Sequence, residues 1–249
     1  MDGNTEPVIA VIGHPIAGNP SQFALERALE SMGLDWRVFS FDVPPTHLTT
    51  ALDGLEALSV RGVLIDESLA NTIGGWRSDQ PDDQADYTDC LFRDEVDGPL
   101  LRFAAQQAWT KARINEHAAL LQRDIERTYV AGEIPSQAVW RTSLLEGTIK
   151  KVPRDLEKLV DADVVVIQQG DGEPTPLDVN QWPTGDESIL VVDFSLGHPD
   201  VPRIQSLGYQ VVSYEARRVA ILSECFRRWT SAEAPRDVML DAIEEYLAV

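Results

Sequence analysis

Three short apolar runs alternating with two amphipathic stretches within the first 65 residues constrain the fold more than any other feature of this chain. Val8–Gly13 is an apolar run of strand length. After a turn rich in Pro, Gly and Asn, Phe23, Ala24, Arg27, Ala28 and Met32 recur at helical spacing, and Gly33 supplies the stop. Residues 36–41 form a second apolar run. Leu48, Leu52, Leu55 and Leu58 then share one face of a second helix entered through Pro44-Pro45, and residues 60–65 form a third strand. Strands separated by helices must be joined by crossovers, which implies a mostly parallel sheet with helices packed on its faces.

The pattern changes after residue 65. Asn71 to Gly98 is polar and crowded with aspartates, among them Asp79, Asp82, Asp83, Asp86 and Asp89. The alternating ligands and turn glycine of a calcium loop are absent, so this reads as a solvated loop with one short strand at 91–93. A helical pattern runs from Leu100 to about Arg127 and leads into a second α/β series. Strands are expected at 128–131, 164–167, 189–194 and 209–212, and helices at 135–145 and 201–207. The continuous apolar runs Val164-Val165-Val166-Ile167 and Ile189 to Phe194 are the mark of parallel strands buried on both faces. A loop rich in Pro, Gly and Asp fills 170–186, and Val238, Met239, Ala242, Ile243, Tyr246 and Leu247 stripe a final amphipathic helix.

Charge and composition exclude several functions. Lys and Arg total 21 against 41 Asp and Glu, a formal net charge of -20 over 249 residues. Such a field repels phosphate backbones and anionic membranes, so neither nucleic acid nor membrane is an expected partner. No apolar run reaches membrane-span length and no signal peptide is visible, so the expected location is cytoplasmic. Cys90 and Cys225 have no metal-ligand spacing, and they read as packing residues in a reducing compartment. His14, His47, His117 and His198 lie scattered without a Ser or Asp partner at catalytic spacing, and they read as surface or capping residues.

Particular segments carry a family resemblance. They are His14-Pro15-Ile16-Ala17-Gly18-Asn19-Pro20-Ser21, Gly33-Leu34-Asp35, Asp42-Val43-Pro44-Pro45 and Val60-Arg61-Gly62-Val63-Leu64-Ile65 at one end. At the other end are Val192-Asp193, Gly208 to Val212 and Cys225-Phe226-Arg227-Arg228-Trp229-Thr230. In order and spacing these segments resemble the shikimate dehydrogenase family. The resemblance implies two α/β domains around a cleft. The first is a substrate-binding-like domain at 1–105, joined by the C-terminal helix at 232–249. The second is a shortened, degenerate Rossmann-like domain at 106–231. The resemblance also implies NADP as cofactor and an oxidoreductase of aromatic amino acid biosynthesis.

Most of the chemistry of that family is replaced here. Its catalytic lysine falls at Ala70, which cannot move a proton, and its catalytic aspartate falls at Gln106, which has none to titrate. The asparagine and threonine beside that lysine fall at Leu64 and Asp66, and a further asparagine falls at Asp89 or Tyr87. The serine pair that grips the substrate carboxylate falls at Asn19 and Ser21, where Ser21 is also placed to cap a helix. The late glutamine falls at Ile221 and the tyrosine near the nicotinamide at Leu196. Of the glycine-rich phosphate loop only Gly132 remains, followed by Glu133, Ile134 and Pro135. Lys150, Lys151 and Arg154 form a basic turn where the adenosine ribose is read in the family.

The expected reading is a descendant that has lost the dehydrogenase reaction and binds a small molecule. Its candidate substrate-binding residues are Ser21, Asp66 and Gln106, its candidate cofactor residue is Gly132, and it has no catalytic or metal-binding set. The alternatives are an active NADP-dependent oxidoreductase using Asp66 or Asp89, and an interaction protein that dimerises through a sheet edge of the first domain. Asp66 and Glu67 follow directly on a strand end, where open α/β sheets place ligands. Paired carboxylates there suit a cation, an amine or a polyol and repel the carboxylate of shikimate.

Overall fold

The computed structural model describes residues 6–76, 87–95, 97–132, 138, 140–141, 144, 149–152, 156–168 and 177–248. The chain divides into two compact α/β units, Met1–Gln106 with Val219–Val249, and Gln107–Arg218.

The first unit holds β1 (Val8–Gly13), β2 (Arg37–Asp42), β3 (Gly62–Ile65), β4 (Cys90–Phe92) and β5 (Leu101–Phe103), in sheet order β2-β1-β3-β4-β5. β1 runs parallel to β2 and to β3, while β4 and β5 are antiparallel additions. Two helices punctuate the parallel part, α1 (Ser21–Ser31) and α2 (Leu48–Ala57). Gly33, at φ 65°, takes the left-handed conformation that ends α1. Leu48, Leu52 and Leu55 are buried as their spacing predicts, but Leu58 is 76% exposed because α2 stops one residue short of it.

The helix expected from Leu100 begins later. Leu101–Phe103 pairs with β4, and α4 (Ala105–Leu121) starts only where the Asp89 carboxylate accepts the Ala105 and Gln106 N–H groups. It ends before the left-handed Gln122, short of Arg127. Between β3 and β4 lies one turn of helix, α3 (Glu67–Ala70). Residues 77–86 of the acidic loop lie outside the described residues.

The core of the first unit packs α1 and the two last helices, α6 (Tyr214–Thr230) and α7 (Arg236–Leu247), against β1, β2, β3 and β4. The units part within α6 rather than at residue 231, since Leu222, Cys225, Phe226 and Trp229 all belong to this core. Cys90 and Cys225 sit in it as buried free thiols. Burial first, then the neighbouring Cys90, pushes the Cys225 thiol well up, which keeps it protonated and inert.

The second unit holds β6 (Thr128–Gly132), β7 (Ile149–Lys151), β8 (Val164–Gln168), β9 (Leu190–Asp193) and β10 (Gln210–Val212), all parallel, in order β10-β9-β8-β6-β7. β8 and β9 are buried almost throughout, which matches their unbroken apolar sequence. One more helix, α5 (Val201–Ser206), leads into β10 through Gly208. Much of the helix expected at 135–145 and residues 170–176 of the following loop lie outside the described residues. Among the described residues, no helix is long and apolar enough to cross a membrane, and no His, Cys, Asp or Glu cluster could hold a metal ion.

Two of the four histidines are buried rather than superficial. His117 Nε2 lies 2.9 Å from the Asp163 carbonyl, and His198 Nδ1 accepts the Asp200 N–H at 3.1 Å. His117 thus shares the Asp163 carbonyl with the Leu190 N–H, and His198 holds the backbone that leads into α5.

Candidate functional site

In the first unit the chain builds outward to β2 and then crosses back to β3, and at such a reversal the carboxyl ends of the strands, here β1 and β3, are where open α/β sheets place a ligand crevice. Gly13 ends β1 there. A Cβ on it would lie 2.8 Å from the Asp66 Cβ and 2.9 Å from the Ile16 Cδ1, so a hydrogen atom at this position lets the loop of 14–20 rest on the end of β3. The side chains around the crevice are tied to one another. Asn19 Nδ2 donates to Asp66 Oδ2 at 2.7 Å, and Asn19 Oδ1 accepts the Ser21 N–H at 2.9 Å. Asp66 Oδ1 accepts the Ser68 N–H at 3.1 Å, and Ser68 Oγ accepts the His14 N–H at the same distance. His14 Nδ1 lies 2.8 Å from Asp42 Oδ1.

The three expected substrate residues sit in different settings. Asp66 lines the crevice, half-buried, and caps α3. Ser21 is the first helical residue and is fully buried. Asn19 Oδ1, by accepting the Ser21 N–H, closes the turn into α1, whose N-cap position is Pro20 and carries no side-chain cap. Gln106 is buried at the start of α4, next to Asp89.

Asp89 is the group that carries the most unusual chemistry. Its carbonyl accepts the Ile65 N–H, placing it beside β3, and its buried carboxylate accepts the Ala105 and Gln106 N–H groups at 2.5 and 2.8 Å. Burial pushes this carboxyl up to about 7 and outweighs the three backbone N–H groups that lower it, those of Gln106, Ala105 and Asp89 itself. Between pH 4 and 7 the unfolded chain releases a proton that the folded chain keeps. Asp89 thus stabilises the fold fully below its unfolded value of 3.8, and that contribution disappears as the pH rises through about 7. Asp89→Asn, which carries no such proton, is expected to flatten this slope. Urea unfolding of both proteins from pH 5 to 8 checks it, and parallel profiles would show that the carboxyl titrates normally.

Ala70, at the family's lysine position, is fully buried, and its carbonyl accepts the Thr88 N–H at 3.0 Å. Ile221 is buried in the core, and Leu196 is 82% exposed on the loop after β9.

The second unit has its own reversal, between β6 and β8. Gly132, at φ 107°, closes β6 against β8, and a Cβ on it would lie 1.8 Å from the Gln168 carbonyl oxygen, so only glycine fits. Glu133 to Gln137, the remainder of the expected phosphate loop, and Arg154 of the basic turn lie outside the described residues. Lys150 and Lys151 belong to β7 and are exposed. Trp140 is a residue that sequence reasoning did not single out. Its buried indole donates to Gln168 Oε1 at 2.9 Å, and its ring lies 6.3 Å from that of Phe194.

Asp193, at the end of β9, is also only visible in three dimensions. Its carboxylate accepts the Ser195 and His198 N–H groups and the Ser195 hydroxyl, shaping the loop that carries Leu196.

Comparison with known proteins bears on these crevices. No family model matches the sequence. The chain is 39% identical over 56 residues to the shikimate dehydrogenase (NADP(+)) of Methanothermobacter thermautotrophicus, a stretch that makes up 22% of this chain and 20% of that protein. It is 24% identical over 287 residues to the shikimate dehydrogenase (NADP(+)) of Methanopyrus kandleri, covering 99% of this chain and 98% of that protein. A crystal structure of a shikimate dehydrogenase in complex with NADP+ superposes with a TM-score of 0.74 at 16% identity, over 96% of this chain and 95% of the other. The chain shares the fold of the shikimate dehydrogenases and is similar to one of them in sequence over nearly its whole length.

Proposed function

We propose that this protein binds a small polar molecule in the first-unit crevice and no longer carries out the hydride transfer of its relatives. The observation that carries this reading is Ala70. Its backbone is held in place, and its side chain is a buried methyl group where resemblance puts the proton-moving lysine. The ligand follows from the Asn19–Asp66 pair. A carboxylate gripped by serine hydroxyls in the relatives would here meet the carboxylate of Asp66, with Glu67 and Asp42 on neighbouring strand ends. A neutral polyol or an amine avoids that repulsion and offers donors to Asp66.

Thermal unfolding with millimolar ligands tests this, because any ligand of the folded state raises the melting temperature by mass action. The expected result is a concentration-dependent rise with a neutral cyclic polyol or an amino sugar, and none with shikimate, quinate or NADPH. A rise with NADPH would mean that a dinucleotide site persists around Gly132.

One observation favours a second reading, an NADP-dependent oxidoreductase with replaced catalytic groups. The Asp89 carboxyl holds its proton close to neutral pH, as an acid–base group must. NADP reduction with shikimate or quinate separates the two readings. Turnover above background that is abolished by Asp66→Asn or Asp89→Asn would replace the first reading with the second.

A further inference from the structure

We infer that Cys90 and Cys225 are a redox latch, a pair of thiols that a hydroperoxide converts to a disulfide tying β4 to α6. The chain contains two cysteines in all, and the fold brings both, fully buried, into one core. The Cys225 thiol donates a hydrogen bond to the Cys90 sulfur. The contacts around them show that this meeting follows from how α6 crosses the sheet. Trp229, one helical turn after Cys225, donates its indole N–H to the carbonyl of Leu91, the residue after Cys90. Arg228 stacks 5.0 Å from the ring centre of Phe92 and 3.5 Å from that of Phe103. Each residue of β4 thus meets α6, and Cys90 meets it thiol to thiol.

The latch sits where the chain passes from one unit to the other. α6 carries the boundary between Arg218 and Val219. Asp89, directly before Cys90, accepts the first N–H groups of α4, which carries the boundary between Gln106 and Gln107. A bond at Cys90 therefore fixes the strand by which both crossing helices are held. The cross-link also closes a loop of roughly 135 residues, and restricting so long a loop in the unfolded chain favours the fold.

The chemistry balances with the peroxide alone. One thiol loses its proton and its sulfur attacks a peroxide oxygen, giving a sulfenic acid and releasing water. The second thiol, already in contact, displaces the sulfenic hydroxyl as a second water. Two thiols are oxidised to one disulfide, and one peroxide is reduced to two waters. The step is slow in the closed fold. Burial above all, then Cys90 and the carboxylates of Asp89 and Glu224, keep the Cys225 thiol protonated, and only a thiolate is a nucleophile. A reagent as bulky as oxidised glutathione is kept from the pair, whereas hydrogen peroxide is little larger than water. The latch therefore records sustained exposure to peroxide rather than a brief pulse.

The test exposes the reduced, folded chain to millimolar hydrogen peroxide for hours, then unfolds it, alkylates it with iodoacetamide and measures its intact mass. The expected product is a monomer that takes up no iodoacetamide, takes it up at both cysteines after dithiothreitol, and yields one linked peptide containing Cys90 and Cys225. It should melt at a higher temperature than the reduced chain, and dithiothreitol should reverse the rise. Cys90→Ala and Cys225→Ala, which keep an apolar side chain in the core, should each show no rise. Thiols that still take up iodoacetamide would overturn the proposal. So would a sulfinic or sulfonic acid on either cysteine in place of the link, a link between two chains, or a linked monomer that melts no higher.

Discussion

Gly62→Ala is expected to destabilise the protein by about 3 kcal/mol or more, as large as the loss of a buried aromatic side chain. Gly62 opens β3 directly beneath the fully buried indole of Trp229, and a Cβ on it would lie 2.1 Å from Trp229 Nε1 and 2.2 Å from Cδ1. No rotation of a methyl group relieves a contact that short, so the indole must leave its site. The indole N–H donates to the Leu91 carbonyl at 2.8 Å, and the Trp229 carbonyl accepts from Arg61 Nε at 3.1 Å. Displacing the ring therefore strands a buried carbonyl of β4 and loosens the seam between α6 and the sheet. A double-mutant cycle with Trp229→Ala gives the decisive reading by urea unfolding. Once the indole is gone the methyl has room, so the double variant should be no less stable than Trp229→Ala alone. Additive losses would mean that Gly62 serves the strand for another reason.

Gly62 and Trp229 also show what a sequence of this kind discloses. The strands of residues 8–57 show as apolar runs and the helices as apolar periodicity, with Gly and Pro punctuating them. β5 was hidden for a physical reason. Three residues paired with β4 carry no periodicity of their own, and the apolar spacing of α4 runs on into them. The start of α4 depends on Asp89, which lies 16 residues earlier and meets Ala105 only through the sheet.

The candidate site behaves in the same way. Asp66 is legible as a carboxylate at a strand end, and Asn19 as a substituted serine. Their hydrogen bond, across 47 residues of sequence, leaves no local trace. Ser21 was legible as a polar residue at a helix start, but whether it or Asn19 closes the turn depends on the path of the loop over Gly13. Gly132 keeps its identity because β8 leaves no space for a side chain, which is a requirement of the fold whether or not a phosphate ever binds there.

Asp193→Ala is the second substitution with a large expected effect, a loss of about 3 kcal/mol or more, because each buried donor left unsatisfied costs about 1 to 3 kcal/mol. Asp193 is fully buried. Its carboxylate accepts the Ser195 N–H at 2.8 Å, the Ser195 hydroxyl at 2.6 Å and the His198 N–H at 2.9 Å, so alanine leaves all of these donors without an acceptor in a region water does not reach. The strand itself should hold. The Asp193 carbonyl, which alanine retains, accepts from Arg217 Nε at 2.9 Å, and the buried Arg217 guanidinium stacks 5.0 Å from the centre of the Phe194 ring. The damage should thus concentrate in the loop after β9. Ser195→Ala removes only the hydroxyl donor and should cost about 1 kcal/mol. Urea unfolding ranks the two variants, and amide hydrogen exchange locates the effect, with the Ser195 and His198 amides exchanging faster in Asp193→Ala while those of β8 do not change. Equal losses in the two variants would mean that the hydroxyl, rather than the carboxylate, organises the loop. The consequence reaches function because this loop holds Leu196 outward at the place where resemblance puts a nicotinamide-facing tyrosine.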